Sequence, residues 1–385
     1  MANPELSTAL RASLPDRLRS LDGLRGIAAL VVLVHHALLT VPALADVYFD
    51  GAPEPETGSF AWWMTYTPLH LFWMGTEAVS LFFVLSGLVL VLQVVRSPKF
   101  SWRAYYPSRL VRLHGPIAAA VVLGALLTVF VQRYDDPDFS RWVNVVGDRY
   151  DAKGFIKDIV VVFGISGVII PLWSLQWEII FSLALPAYVW IATRGAQWAW
   201  WKIAASLLLI LAGALTDQAA LWNLPVFAIG GILAAHWSAV SAVADRITRH
   251  RWAWPAIVAV AVVLASVRWE AIQIGVDEGL ARRVNVIAII GLTLLVLAAA
   301  FWRPMVGLLE SRFAQWAGRV SFSLYLVHEP IVVTTRYLFA DWSPWACLAV
   351  SVPVSLLVGH LFFSLVEKRF HNLSKSVGRR LAPQA

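Results

Sequence analysis

Apolar runs long enough to cross a bilayer recur along this chain, separated by polar segments rich in arginine, tryptophan and proline. A helix needs about 20 mostly apolar residues to span the hydrocarbon layer. Ten stretches meet or approach that length: 24–44, 70–95, 115–132, 172–193, 202–216, 220–237, 254–269, 284–302, 319–338 and 345–366. The pattern predicts an all-α polytopic membrane protein of about ten transmembrane helices. A further apolar stretch, KDIVVVFGISGVIIP at 157–171, contains two glycines and suits an interfacial or re-entrant segment. No internal repeat and no soluble second domain are evident. The expected division is an N-terminal segment 1–20, a membrane domain 21–370 and a basic tail 371–385.

Composition supports the membrane reading. Of 385 residues, 59% are hydrophobic and only 14% charged, with a mean hydropathy of +0.68. Soluble domains carry about 25% charged residues. The first apolar run is too long for the core of a cleavable signal. Cys347 is the single cysteine, which excludes an intrachain disulfide and a cysteine-based metal site. The net charge of +7 matches positive-inside loops better than a nucleic-acid surface. If the N-terminus is cytoplasmic, 22 of the 31 Lys and Arg fall in predicted inner segments, as the positive-inside rule requires. Both termini are therefore expected in the cytoplasm and the chain in the inner (plasma) membrane. Trp62, Trp63, Trp198, Trp200, Trp201, Trp252, Trp254, Trp342 and Trp345 sit near span ends, as in an interfacial aromatic belt. The sequence holds no Walker loop and no GxGxxG, so ATP hydrolysis and Rossmann-type dinucleotide binding have no support.

Ionisable groups at bilayer depth are costly, and they mark candidate chemistry. The first span, SLDGLRGIAALVVLVHHALLT, carries Arg25 and His36 eleven positions apart. That is about three helical turns and a rise of about 16 Å, so both share one face. His36 would lie near the midplane, with His35 turned about 100° away. A histidine there is a candidate proton acceptor, the alternative being a hydrogen bond to a neighbouring helix. On the predicted inner side, FSWRAYYPSRLVRLHGP places Arg109 and Arg112 three apart, with Arg103 one or two turns earlier. Such guanidinium groups bind phosphates, the alternative being topology and contact with anionic lipid heads. Glu77 lies near the outer end of the second span. Glu178 lies in PLWSLQWEIIFSL. The ninth span, VSFSLYLVHEPIVV, holds Ser321, Ser323, Tyr325, His328 and Glu329, followed by Pro330, which should kink it. Glu178 or Glu329 would be placed to orient a histidine. His360 in the tenth span reads as packing.

Taken in order, RLRSLDGLRGIAALVVLVHH, LFFVLSGLVL, PSRLVRLHGP, PLWSLQWEIIFSL and VSFSLYLVHEP resemble the acyltransferase-3 family of integral membrane acyltransferases, over residues 18–370. The resemblance implies a ten-span core, an acyl-CoA donor (commonly acetyl-CoA) used from the cytoplasm, and a hydroxyl acceptor on a glycan, lipid or small molecule. By position, His36 matches the family's essential histidine and Arg25 its partner. Arg109 and Arg112 match its arginine pair, Glu178 an acidic position, and Tyr325 and His328 a late Tyr-Leu-x-His motif. The chain departs from the pattern in its doubled histidine, in lacking an adjacent arginine pair before Arg109, and in Trp177. The resulting expectation is an O-acyltransferase. His36 acts as base, with Glu178, Tyr325 and His328 assisting, and Arg25, Arg103, Arg109 and Arg112 hold the donor. Neither a metal nor nucleic acid is expected. The competing class is a proton-coupled secondary transporter or exporter using the same intramembrane His and Glu residues; it leaves the inner arginines unexplained.

Overall fold

The computed structural model describes residues 18–49, 51 and 54–382, save the side chain of Ala196. Arg11, Arg17 and most of the 1–20 segment, the loop residues Asp50, Ala52 and Pro53, and the last three residues of the 371–385 tail lie outside the described residues. The main helices are α1 (Arg19–Leu38), α2 (Gly75–Arg96), α3 (Trp102–Phe130), α4 (Leu172–Leu183), α5 (Leu185–Thr193), α6 (Ala199–Thr216), α7 (Ala219–Ala235), α8 (Trp237–Thr248), α9 (Ala253–Gln273), α10 (Val286–Phe301), α11 (Arg312–Leu338), α12 (Pro344–Phe362) and α13 (Lys368–Leu381). No strand occurs among the described residues. The protein is an all-α polytopic membrane protein, as the apolar pattern predicts.

Among the described residues, seven helices or continuous helical segments are long and apolar enough to cross a membrane, and nine spans result if each bent pair counts as one. One pair is α4 and α5, bent by 65° where Pro186 sits in the first turn of α5. The other is α7 and α8, bent by 79°. The predicted 172–193 span is thus broken near its middle. The ninth predicted span corresponds to α11, which is long enough but too polar to qualify by apolarity, because it carries Arg319, His328, Glu329 and Arg336. α11 is nevertheless buried along nearly all of its second half, and it runs as one helix through Pro330. The stretch 157–171 forms no span. A short helix (Ala152–Val160) gives way to an irregular segment with positive φ at Val161, Gly164 and Gly167. Asp158 is its hub: it accepts from the Tyr150 hydroxyl at 2.7 Å, the Ser166 N–H at 2.6 Å and the Ser166 hydroxyl at 2.7 Å. Burial first, then the Asp158 charge, pushes the Tyr150 phenol well above its ordinary pKa, so it stays a donor.

Glycines set the helix crossings that matter for the site. Apolar side chains gain little by leaving lipid for protein, so membrane helices associate through close packing of small residues. A β-carbon on Gly26 of α1 would come within 2.3 Å of the Gly318 nitrogen on α11, and one on Gly318 within 2.3 Å of the Asp22 carbonyl oxygen. A β-carbon on Gly87 (α2) or Gly230 (α7) would come within 2.0 Å of the facing backbone oxygen. Each pair therefore packs backbone to backbone. From the Gly26–Gly318 crossing, His36 and His328 both lie ten residues further along their helices, a rise of about 15 Å on each. That equal spacing brings the two imidazoles to one level. Short helices and turns between α1 and α2 and between α3 and α4 gather beside the far end of α1; this is the loop end of the bundle. The basic α13 packs along α3 at the opposite end, with Phe370 filling the space over Gly115.

Candidate active site

At the centre, His36 and His328 meet. The His36 Nδ1 and His328 Nε2 are 3.0 Å apart, and the ring centroids are 4.9 Å apart. Each Nδ1 also faces a carbonyl of its own helix: Val32 O at 3.0 Å for His36, Leu324 O at 2.9 Å for His328. A carbonyl can only accept, so each Nδ1 carries the proton. His328 Nε2 is then a lone pair that accepts from His36 Nδ1–H, a proton shared with Val32 O. The accounting leaves His36 Nε2 unprotonated, and among the described residues no hydrogen bond engages it. His328 is fully buried, whereas His36 retains partial exposure, with Trp142 at 5.4 Å on its flank. A partly exposed imidazole with a fixed tautomer and a free lone pair is suited to take a proton.

His35 is used differently. Its Nδ1–H donates to Trp73 O at 2.8 Å, and its ring lies over Gly75, where a β-carbon would meet it at 2.4 Å. It braces α1 against the start of α2. Tyr325 is buried, with its hydroxyl 2.6 Å from Ser174 Oγ and 3.2 Å from Pro171 O. It therefore ties α11 to the start of α4, and its ring stands 5.8 Å from His328.

The carboxylates are not where sequence reasoning expected them. Glu178 touches no histidine. It accepts from Arg109 Nη2 at 2.5 Å and from Ser86 Oγ at 2.9 and 3.2 Å, while Arg109 Nε–H donates to Ser182 Oγ at 3.1 Å. The pair is about 85% buried on both sides. α4 starts level with Tyr325, which bonds Ser174 and Pro171, so Glu178, one turn beyond Ser174, reaches Arg109 rather than a histidine, which linear span counting could not show. Glu329 is fully buried and bonds no histidine; the Ile170 backbone lies near its carboxyl. Arg133 lies within electrostatic range of it.

Arg109 belongs to a wider network. Arg112 lies within electrostatic range of Arg109, Arg25, Glu367 and Glu178. Glu367, in a π-helical turn between α12 and α13, accepts from the Ser323 hydroxyl at 2.5 Å. α1, α3, α4 and the α12–α13 junction thus bring three arginines and two glutamates into one cluster, to which α11 adds Ser323. Arg112 and Arg103 are exposed, Arg25 half-buried. Sequence reasoning did not single out Glu367, and only its position after a long apolar run could have flagged it. His360 is exposed and accepts weakly from Trp316 Nε1–H at 3.4 Å. Among the belt tryptophans, Trp254 is buried and donates to Thr248 rather than lying at the surface. Trp73, Trp142 and Trp269, which the belt did not include, are buried near the histidines or their neighbours.

A family model described as an acyltransferase domain matches residues 18–365. A protein named acyltransferase MdmB from Streptomyces mycarofaciens is 25% identical over 198 residues, covering 50% of this chain and 46% of that protein. The chain thus spans about half the length of that relative. No solved structure matches the chain.

Proposed function

The chain belongs to this acyltransferase family, and from that premise we propose that it is a multi-pass plasma-membrane O-acyltransferase. It moves an acyl group, acetyl in the simplest case, from cytoplasmic acyl-CoA to a hydroxyl on a glycan, lipid or secondary metabolite. Both termini and the basic end face the cytoplasm. The membrane core spans 21–370, and the basic 371–385 segment lies at the inner surface. The observation that carries the reading is the imidazole pair, which leaves His36 Nε2 as the free base.

In this reading the thioester enters from the basic end. Arg112 and Arg25 hold the donor phosphates, while Arg103, exposed at the rim, adds only a screened long-range attraction. Arg109 is a positioning residue, since its guanidinium is already bonded to Glu178 and Ser182. About 16 Å of α1 separates Arg25 from His36, a length that an extended pantetheine arm matches. His36 Nε2 takes the acceptor's hydroxyl proton as the oxygen attacks the thioester carbonyl. The C–O bond forms, the C–S bond breaks, and the imidazolium returns the proton to the leaving thiolate. His328 shares the imidazolium's Nδ1–H and fixes its orientation, as the third group of a catalytic triad does for its base. Tyr325 and Ser174 hold the helix that carries His328.

Inside-out membrane vesicles supplied with labelled acetyl-CoA test this. The wild-type protein is expected to release CoA thiol and place label in the envelope fraction. His36→Ala is expected to do neither while still binding the donor. Thiol release and label transfer that survive His36→Ala would remove His36 as the base. Label in neither fraction, together with no donor binding by the wild-type protein, would remove the acyl-CoA reading.

A further inference from the structure

At the loop end, a cavity of about 670 Å³ lies between the end of α3 and the short helix Ala152–Val160. That volume is within the range of about 300–1,000 Å³ for small-ligand sites, and nothing in the proposed chemistry uses it. Its lining divides by chemistry. Ala125, Val129, Phe155 and Ile156 are apolar, whereas Arg133, Asp148, Arg149 and Asp151 are charged. The apolar part continues onto the surface: Val129 is 74% exposed, Ile156 63%, Phe130 80% and Phe163 81%. α3 is long and apolar enough to cross a membrane, so apolar side chains left this open at its end have lipid as their solvent. The charged part begins with Arg133, three residues beyond the last residue of α3, where a span gives way to the headgroup layer.

Arg133 is the anchor of the charged part. It is more than nine-tenths buried, and its Nη1–H groups donate to Gly147 O at 2.8 Å and Val168 O at 3.3 Å. Its Nη2 is buried with no hydrogen-bond partner, and the side chain makes no ion pair among the described residues. Carbonyls satisfy a guanidinium's N–H groups without neutralising its charge. A buried cation with no bonded counter-charge is costly, and two carbonyls on Nη1 hold the planar fork in one orientation. An oxyanion in the cavity would supply both the missing acceptor and the missing charge.

The rest of the lining says which oxyanion. Arg149 Nε lies 4.0 Å from Asp148 Oδ2 in an open pair, each side chain more than two-thirds exposed. Asp151 uses Oδ1 to cap the Gly154 N–H at 2.6 Å. Two arginines and two aspartates sum to zero. A purely anionic head would meet Asp148 and Asp151, and a purely cationic one would meet Arg133 and Arg149. A head that carries a phosphate and a primary ammonium meets each sign with its opposite, and its N–H groups can donate to the aspartates, which a quaternary ammonium cannot do. We infer that this cavity holds a zwitterionic phospholipid, with its phosphate on Arg133, its primary ammonium on Asp148 and Asp151, and its chains along Val129 and Ile156. The inference goes beyond the acyl-transfer reading and does not depend on it, because the occupant is a resident lipid and not a substrate.

The test is lipid retention by the full chain. The protein is placed in nanodiscs of equal parts phosphatidylethanolamine, phosphatidylglycerol and phosphatidylcholine with identical chains. It is then extracted into mild detergent, and the lipids that stay bound are identified by native mass spectrometry. Phosphatidylethanolamine is expected to be retained about tenfold more than either of the others. Arg133→Gln, which keeps a donor for one carbonyl but removes the charge, is expected to lower that retention about tenfold. Asp148→Lys changes an exposed side chain, so it is expected to leave the melting temperature unchanged while moving the preference to phosphatidylglycerol. This variant keeps the test decisive if loss of Arg133 unfolds the loop end. Retention of phosphatidylethanolamine no greater than that of the other lipids would overturn the inference. So would its displacement by inorganic phosphate, or a preference that Asp148→Lys does not move.

Discussion

At the basic end, charge meets charge: Arg109 lies against Glu178, and Glu367 lies within range of Arg25 and Arg112. Around His36 the groups are imidazoles, phenols and indoles, and their hydrogen bonds go to backbone carbonyls or to each other. The two regions solve different problems. A polyanion held at a membrane mouth needs fixed cations, and fixed cations near lipid need counter-charges to stay folded. A proton taken from a neutral hydroxyl needs a neutral base with a defined tautomer. The division predicts that substitutions at the basic end change donor affinity, and that substitutions at the histidines change turnover.

The sharpest test is at the histidines. His36→Ala is expected to lower transfer by about 10²–10⁴-fold, the range for removing a positioned general base, with the donor's half-saturating concentration unchanged. His328→Asn is expected to cost less, about tenfold to a hundredfold, because the Val32 carbonyl still holds the His36 Nδ1 proton. Single-turnover rates and donor titrations on the same membranes separate the two quantities. A His328 variant as inactive as His36→Ala would mean that both rings exchange protons with substrate.

Next in size is the crossing that aligns those rings. Gly318→Leu places a side chain where a β-carbon alone would lie 2.3 Å from the Asp22 backbone oxygen. α1 and α11 must then separate. The expected cost is about 1–3 kcal/mol of stability, the range for overpacking, read as a lower melting temperature. Transfer should fall further than stability explains, since the His36–His328 contact depends on the same spacing. Transfer falling only in proportion to the folded fraction would show that the site tolerates helix separation.

The ten apolar runs were legible in the sequence because span length and positive-inside charge are set locally by the bilayer, and each run contains a helix. His36 could be singled out from Arg25 because one helix fixes that geometry. The partners could not. Glu178 looked placed for the histidines, but α4 starts level with Tyr325, which puts Glu178 one turn further along beside Arg109, and the depth at which a helix starts has no local signature. Tryptophan position near a span end does not say which way the ring points. Trp254 was therefore counted with the interfacial belt although it is buried, while Trp73 and Trp269 were passed over.

At the basic end the counter-charge makes the third prediction. Glu178→Gln keeps acceptors for Arg109 and Ser86 but removes the charge opposite a guanidinium that is 15% exposed. The expected loss of stability is about 2 kcal/mol, below the 3–5 kcal/mol for a fully buried pair, because the group keeps some solvent. Donor affinity should move less than threefold, as Arg112 and Arg25 remain. A donor that binds tenfold more tightly in Glu178→Gln would mean that the donor competes with Glu178 for Arg109, and that the ion pair opens during each cycle.

The smallest effects distinguish binding arginines from topological ones. Arg112 is exposed but ringed by Arg25, Arg109, Glu178 and Glu367, so its charge acts within a built network. Arg103 is exposed at the start of α3, with no partner recorded among the described residues. Arg112→Gln is expected to raise the donor's half-saturating concentration about tenfold, the loss of one charge-assisted phosphate contact. It should also flatten the salt dependence of donor binding, because one fixed cation has gone. Arg103→Gln should change it less than twofold, as surface charges do when they face water. Equal effects from both would turn the basic end into a diffuse attractive field rather than a site, and the contrast with the histidines would then be one of charge alone and not of geometry.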